Sequence, residues 1–316
     1  MKIKSRALGL FIMVAVTAGA SPLGDILNHA VVDTRAEFID PALKPEQLAV
    51  TVIDLRGPVP VQADYRGEER IYPASVIKLF YLAYAHRLLE DGKLADTPEL
   101  QRALRDMIVE SYNDATASVV DSITGTTGGP ELPPAALEVW HDKRMAVTRY
   151  FEGLGYNNVL AVRKTWAEGP YGREEQDAVV HQPRRNFLST NDTARLLETI
   201  ATGRCITPAR SAQMLALLAR DPQKAPPNTD DPEDYEGVGF TGPALSPGMK
   251  LWSKAGWVSW ARHDAALIEL PDGGRIIIVT FTEGKEHAKN RAIIGAIARR
   301  ILAQLPPAGP ELKVES

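Results

Sequence analysis

Patterns typical of β-strands lie near the two ends of this chain, and helical patterns occupy the residues between them. Residues 48–55 form an apolar run that ends in an Arg-Gly-Pro turn, and residues 59–70 are predicted to be its hairpin partner. Three more strand patterns follow at residues 251–257, 264–270 and 275–282, with a Pro-Asp-Gly-Gly turn between the last two. The simplest fold for this order is an antiparallel sheet assembled from both ends of the chain.

The middle of the chain repeats apolar residues at helical spacing. The first such pattern begins at Pro73 and stops at Gly92. The clearer helical segments after it, together with a terminal helix, are residues 104–109, 115–123, 146–154, 193–200 and 288–305. Two stretches rich in Pro and Gly, residues 125–134 and 225–247, are predicted to be loops.

These patterns predict an α+β fold, an α/β sandwich whose antiparallel sheet is flanked by helices. We expect one domain over residues 21–316. Residues 21–74 and 245–316 would form its α/β subdomain, and residues 75–244 would be an inserted, mainly helical subdomain.

The first twenty residues resemble a secretory signal peptide. Three basic side chains within residues 1–7 precede an apolar run at residues 8–17, and an A-x-A cleavage site predicts a cut between Ala20 and Ser21. The apolar run is shorter than the ~20 residues that span a bilayer, although an uncleaved membrane anchor is the alternative interpretation. We therefore expect a periplasmic or secreted protein with no stable membrane insertion after cleavage.

Charge and cysteine content exclude several classes of site and partner. Cys205 is the single cysteine, so neither an intramolecular disulfide nor a multi-cysteine metal site can form. The formal net charge is −4, and loss of the three basic leader residues leaves about −7. This balance argues against nucleic acid as a partner.

Three short motifs could carry chemistry. Ser75-Val76-Ile77-Lys78 places a hydroxyl and an amine on one helical face, where a lysine with a lowered pKa could take the proton of the serine. Ser111-Tyr112-Asn113 and Lys254-Ala255-Gly256 follow in that order. Each motif alone is weak, because chance supplies a Ser-x-x-Lys in many chains.

Together the three motifs resemble the S-x-x-K, S-x-N and K-[TS]-G elements of the penicillin-recognising serine hydrolases, which include class A β-lactamases, DD-peptidases and related esterases. The similarity extends to a later helix at residues 189–197 and to the closing strands at residues 264–274. It covers residues 48–305 and implies the β-lactamase/transpeptidase fold.

The resemblance implies a role for each residue of the first two motifs. Ser75 would be the acylated nucleophile, and Lys78 would accept its proton. Ser111 would relay a proton to the leaving group, while Asn113 would orient Lys78 and bind substrate. Two lysines near one serine would lower each other's pKa, which favours a neutral amine as the base.

The third motif is implied to bind substrate and to complete the oxyanion hole. Lys254 would add positive charge for an anionic substrate, and Gly256 would let the strand approach that substrate closely. Ala255 replaces the usual Thr or Ser, so a hydroxyl that helps to hold the substrate carboxylate is missing. The backbone N–H groups of Ser75 and Trp257 would bind the oxyanion.

The sequence offers three candidates for the base that activates water. The family's E-x-x-x-N pattern is absent, and Glu168 lies about where the glutamate should be, with Glu174 and Glu175 as alternatives. Each of the three could instead be a solvated loop carboxylate. Without such a base, hydrolysis of the acyl-enzyme would be slow.

Two other motif matches have simpler explanations. Ser189-Thr190-Asn191 is a second S-x-N, but its position before an apolar helix predicts a helix cap. Residues 237–242 match G-x-G-x-x-G without the flanking strand and helix that nucleotide binding requires.

The leading hypothesis is an exported serine hydrolase, similar to class A β-lactamases, that works without metal or cofactor through an acyl-Ser75 intermediate. Its substrate would be a small acyl compound: a β-lactam, a D-alanyl peptide or an ester. The alternatives are a D-alanyl-D-alanine carboxypeptidase, a carboxylesterase, or a catalytically degenerate ligand-binding protein of the same fold. We expect a monomer.

Overall fold

The computed structural model describes residues 21–166, 168–225 and 235–306. Its α-helices are α1 (Pro22–Glu37), α2 (Lys78–Glu90), α3 (Pro98–Ile108), α4 (Asn113–Thr124), α5 (Pro134–Arg144), α6 (Ala146–Gly153), α7 (Arg173–Val180), α8 (Thr190–Ala201), α9 (Pro208–Leu218), α10 (Lys285–Lys289) and α11 (Ala292–Gln304). Its strands are β1 (Leu48–Asp54), β2 (Val61–Tyr65), β3 (Val159–Leu160), β4 (Phe187–Leu188), β5 (Ala219–Arg220), β6 (Lys250–Val258), β7 (Ala261–Glu269) and β8 (Arg275–Glu283). The predicted signal peptide lies outside the described residues.

Six strands form one antiparallel sheet in the order β2-β1-β8-β7-β6-β5. The first strand of the chain therefore lies beside the last, which confirms the predicted sheet from both chain ends. Every residue of β8 except its first and last is buried, because this central strand is covered on both faces.

The two faces of the sheet carry separate cores, so the molecule has three layers. Alternate residues of β8 face opposite ways: Ile277 and Val279 pack with the helical middle of the chain, while Ile276 and Ile278 pack with α1 and α11. This arrangement confirms the predicted α+β sandwich.

Several helix ends differ from the sequence prediction. The predicted terminal helix at 288–305 is two helices, because α10 ends at Lys289 and α11 begins at Ala292. The prediction also omits α1, whose first turn is capped by the Ser21 hydroxyl accepting the Gly24 N–H at 3.1 Å. The predicted Ser189 cap is confirmed, since its hydroxyl accepts the Asp192 N–H at 3.1 Å.

No helix among the described residues is both long enough and apolar enough to cross a membrane.

Candidate active site

The Ser75 hydroxyl is presented by a tight turn that leads into α2. A 3₁₀ helix over Ala74–Ile77 carries Ser75, and Lys78 is the first residue of α2. Ala74 adopts a left-handed conformation with φ of 46°, which few residues with a side chain adopt. This strained turn sets Ser75, half-buried, one helical turn before the fully buried Lys78.

The amine of Lys78 lies among neutral oxygen atoms. Its Nζ contacts the carbonyl oxygen of Ser111 at 2.6 Å, the hydroxyl of Ser111 at 3.2 Å and the Asn113 Oδ1 at 3.1 Å. Ser111 itself has a left-handed φ of 56°, which lets its backbone and its side chain reach the same amine. The first two sequence motifs therefore meet at one point.

Burial lowers the pKa of Lys78 to about 7, because the amine loses its hydration and no carboxylate among the described residues contacts it. A substantial share of Lys78 is then neutral near pH 7 and can accept a proton.

The third motif lies directly against the turn that carries Ser75. A Cβ added at Gly256 would lie 2.5 Å from the Ser75 nitrogen and 2.8 Å from the Val76 nitrogen, so no side chain fits there. Strand β6 thus brings its backbone next to the N–H of Ser75. Ala255 is buried in a small cluster with Phe240 and Ile294.

Lys254 has a carboxylate partner that sequence reasoning missed. Its Nζ donates to Glu236, and Arg220 donates to the other oxygen of the same carboxylate at 2.7 and 3.1 Å. All three residues are buried. Burial, with the nearby charges of Lys78 and Arg220, holds the pKa of Lys254 well below its usual value. The positive charge of Lys254 is therefore partly neutralised within the protein.

A buried histidine connects the turn that carries Ser75 to the sheet through hydrogen bonds. His263 on β7 bridges the carbonyl oxygen of Tyr72, 2.9 Å from Nε2, and the N–H of Thr282, which donates to Nδ1 at 3.1 Å. These partners assign the proton of the neutral ring to Nε2. Burial lowers the pKa of His263 to about 4, so the bridge stays neutral across the physiological range.

Two exposed aromatic side chains flank this cluster. Trp257 follows Gly256 and is 50% exposed, and Tyr112 lies between Ser111 and Asn113 and is 60% exposed. Each ring is thus exposed on a residue adjacent in sequence to the motif residues.

Glu168 does not join the cluster around Ser75. It is exposed, and its carboxylate accepts a hydrogen bond from the Tyr171 hydroxyl at 2.9 Å. Of the alternatives, Glu174 is buried and accepts from Arg144 and Lys164, whereas Glu175 accepts from Arg184. Among the described residues, none of these three carboxylates has a hydrogen bond with Ser75 or Lys78.

Residues 95–305, about two thirds of the chain, match the family model described as the β-lactamase enzyme family. The chain belongs to that family. The match and the fold confirm the resemblance to penicillin-recognising serine hydrolases.

Solved structures with the same fold include several β-lactamases. A β-lactamase from Sphaerobacter thermophilus is 20% identical with a TM-score of 0.61, and the alignment covers 90% of this chain and 99% of that one. A β-lactamase from Xanthomonas campestris is 15% identical with a TM-score of 0.64 and the same coverage. A variant of PBP-A, solved as an acyl-enzyme complex with penicillin G, is 16% identical with a TM-score of 0.61, covering 88% and 95%.

No curated protein matches the sequence significantly.

In this β-lactamase family member, the loop between β3 and β4, described at residues 161–166 and 168–186 and interrupted by α7, runs along one side of the site. Arg163 pairs with the buried Asp177 across the base of the loop. Asn186 accepts the N–H groups of Val162 and Arg163 at 2.9 and 2.8 Å and donates to the Tyr81 hydroxyl at 3.0 Å. These bonds fix both ends of the loop to each other and to α2.

One group of metal-type ligands occurs in the described part of the chain, at His141, Asp177 and His181. The two imidazole rings are stacked, with centroids 3.8 Å apart and planes 16° apart, and both Nδ1 atoms lie 2.8 Å from the same oxygen of Asp177. The other oxygen of the same carboxylate already pairs with Arg163. The two imidazole N–H groups can therefore both donate to the Asp177 carboxylate, and these hydrogen bonds anchor the loop.

Proposed function

We propose that the protein is an exported serine hydrolase that forms an acyl-Ser75 intermediate with a β-lactam or a related small acyl compound. The observation that carries the proposal is the buried Lys78, which follows Ser75 by one turn and whose hydrogen-bond partners among the described residues are uncharged oxygen atoms. Such an amine can act as the base that a serine hydroxyl needs. Members of this family are typically exported, and the leader sequence supports export for this chain.

In the acylation step, the neutral amine of Lys78 takes the proton of Ser75 while the serine oxygen bonds to the substrate carbonyl carbon. The N–H groups of Ser75 and Trp257 donate to the negative oxygen that develops. The Ser111 hydroxyl gives its proton to the leaving nitrogen and receives one from Lys78 across their 3.2 Å contact. The C–N bond breaks, and the acyl group remains on Ser75 as an ester.

In the hydrolytic step, a water molecule gives a proton to Lys78 and attacks the ester carbonyl. The bond between the acyl carbon and the Ser75 oxygen breaks, and the serine regains its proton from Lys78. We assign both steps to Lys78 because, among the described residues, no carboxylate contacts Ser75 or Lys78. Without a carboxylate to activate water, hydrolysis of the ester would be the slower step.

A labelling and turnover assay tests this function. The protein is incubated with a fluorescent penicillin and, separately, with a chromogenic cephalosporin. We expect a fluorescent adduct within minutes and slow colour formation after an initial burst. If neither labelling nor turnover occurs, and p-nitrophenyl acetate is hydrolysed at the same rate by the Ser75→Ala variant, the catalytic proposal is wrong.

The rate of acylation should rise with pH and level off above about pH 7. Only the neutral form of Lys78 accepts a proton, and its pKa is lowered to about 7. The second-order rate constant for benzylpenicillin should therefore fall about tenfold for each pH unit below 7. Competition with a fluorescent penicillin between about pH 5 and pH 9 measures it. A rate that stays constant over this range would contradict the assignment.

Glu168→Gln tests the carboxylate that the sequence predicts as the base for water. If Glu168 acts in this way, the acyl-enzyme should persist at least about 100-fold longer in the variant. The exposed position of Glu168 and its bond to Tyr171 favour a change of less than about twofold. The lifetime of the adduct, measured after removal of free penicillin, distinguishes the two results.

A D-alanyl-D-alanine carboxypeptidase is the second candidate. The observation in its favour is that no carboxylate within the described part of the chain contacts Lys78, since slow loss of a β-lactam acyl group is compatible with an enzyme whose substrate is a peptide. Release of D-alanine from a diacetyl-L-Lys-D-Ala-D-Ala peptide tests this activity. We propose that either enzyme is a monomer without metal or cofactor.

A further inference from the structure

A cavity of about 250 Å³ opens beside the turn that carries Ser75. It begins at Tyr72 and Ala74, directly before Ser75, and extends along the loop between β3 and β4. The cavity therefore reaches the residue next to Ser75. The residues of the cavity do not belong to any of the three catalytic motifs.

The charged residues of this cavity are predominantly basic. Four cationic side chains line it, namely Arg163, Lys164, Arg184 and Arg185, against the two carboxylates of Glu174 and Glu175. Three of the cations have acidic partners: Arg163 with Asp177, Lys164 with Asp121 and Glu174, and Arg184 with Glu175. The two carboxylates of the cavity, Glu174 and Glu175, therefore each form an ion pair with a basic side chain of the same cavity.

Arg185 differs from the other three cations. Among the described residues, no carboxylate forms an ion pair with it. Its guanidinium instead lies over the rings of Tyr72 and Trp260, at 5.5 and 5.0 Å from their centroids. These two rings also contact each other, with centroids 5.1 Å apart. The guanidinium is therefore held by aromatic faces, and its N–H groups keep their capacity to bind a carboxylate in a bidentate manner.

We propose that this cavity is a subsite for an anionic group on the acyl side of the substrate, with Arg185 as the residue that recognises it. The inference rests on the proposed function, because it assumes that the acyl group is carried by Ser75. The protein as a whole is acidic, with a formal net charge of −4, so a local cation is needed to attract an anion. The preferred substrates would carry a carboxylate on the side chain attached to their acyl group.

Two penicillins that differ by one carboxylate test the subsite. Carbenicillin is benzylpenicillin with a carboxylate added to the carbon next to the side-chain carbonyl. We expect the wild-type protein to be acylated faster by carbenicillin than by benzylpenicillin. In Arg185→Gln the ratio of the two second-order rate constants should fall about tenfold, as expected for loss of one charge-assisted contact. The benzylpenicillin rate should change less than about twofold.

Arg184→Gln is the matched control, because Arg184 lines the same cavity but is paired with Glu175. Its ratio should stay within about twofold of the wild-type value. The subsite proposal is wrong if Arg185→Gln leaves the ratio unchanged, including the case in which both penicillins lose rate equally. It is also wrong if the wild-type protein prefers benzylpenicillin. Neither result would contradict acylation of Ser75. If neither penicillin acylates the wild-type protein, the proposed function fails, and the subsite with it.

Discussion

Replacing Lys78 with alanine is expected to lower the acylation rate constant by about 10³–10⁴-fold. The variant removes the amine that we propose accepts the serine proton, and general-base catalysis contributes rate factors of this order. Among the described residues, Lys78 is the titratable side chain that bonds to Ser111 and Asn113, so the chain offers no substitute at that point. Stopped-flow or timed labelling with benzylpenicillin measures the rate constant.

Two further variants separate loss of the base from loss of charge or stability. Lys78→Arg keeps a cation that stays protonated, so it should be nearly as inactive as the alanine variant. Lys93→Ala, at a side chain that is 68% exposed, should acylate at the wild-type rate. A Lys78→Ala protein that folds normally and keeps more than about a tenth of the wild-type rate constant would show that another group accepts the proton.

The sheet could be predicted from the sequence because its buried strands leave recognisable patterns of apolar residues along the chain. In β8 both faces are covered, so Ile276, Ile277, Ile278 and Val279 form a continuous apolar run instead of an alternating one. The two-residue strands β3, β4 and β5 leave no such pattern, and none of them was predicted. Helix α1 does repeat apolar residues at helical spacing, from Leu23 to Val31, but the apolar leader beside it obscures where the pattern begins.

The motifs predicted the residues that meet at Lys78, because hydroxyl, amide and amine groups at fixed spacing are visible along the chain. The partner of Lys254 was not predictable in this way. Glu236 lies in an acidic loop, where a carboxylate cannot be distinguished from its solvated neighbours. Arg220 approaches Lys254 because β5 pairs with β6, with Arg220 opposite Leu251. Only the folded sheet brings these charges together.

Chain position does not show which way the side chain of Glu168 points. Glu168 falls at the expected place along the sequence, yet it is exposed and bonded to Tyr171. The direction of a loop side chain depends on how the loop is anchored, and here Arg163, Asp177 and Asn186 determine the anchoring. These three residues are distant in sequence from the motifs and carry no pattern of their own.

The Ser75→Ala variant should lose all covalent labelling by penicillins. Alanine removes the oxygen atom that forms the ester, so the proposed acyl-enzyme cannot form. The half-buried position of Ser75 makes the exchange of a hydroxyl for a hydrogen sterically mild, and we expect a normally folded protein. Thermal unfolding of both proteins checks that the loss of labelling is not a loss of structure.

The mass of the protein after brief exposure to benzylpenicillin tests the central claim most directly. We predict an increase equal to the whole mass of one benzylpenicillin, because ring opening releases no atom, and peptide mapping should place it on Ser75. The Ser75→Ala variant should show no increase. An adduct on another residue, or an adduct that persists in Ser75→Ala, would contradict an acyl-Ser75 mechanism.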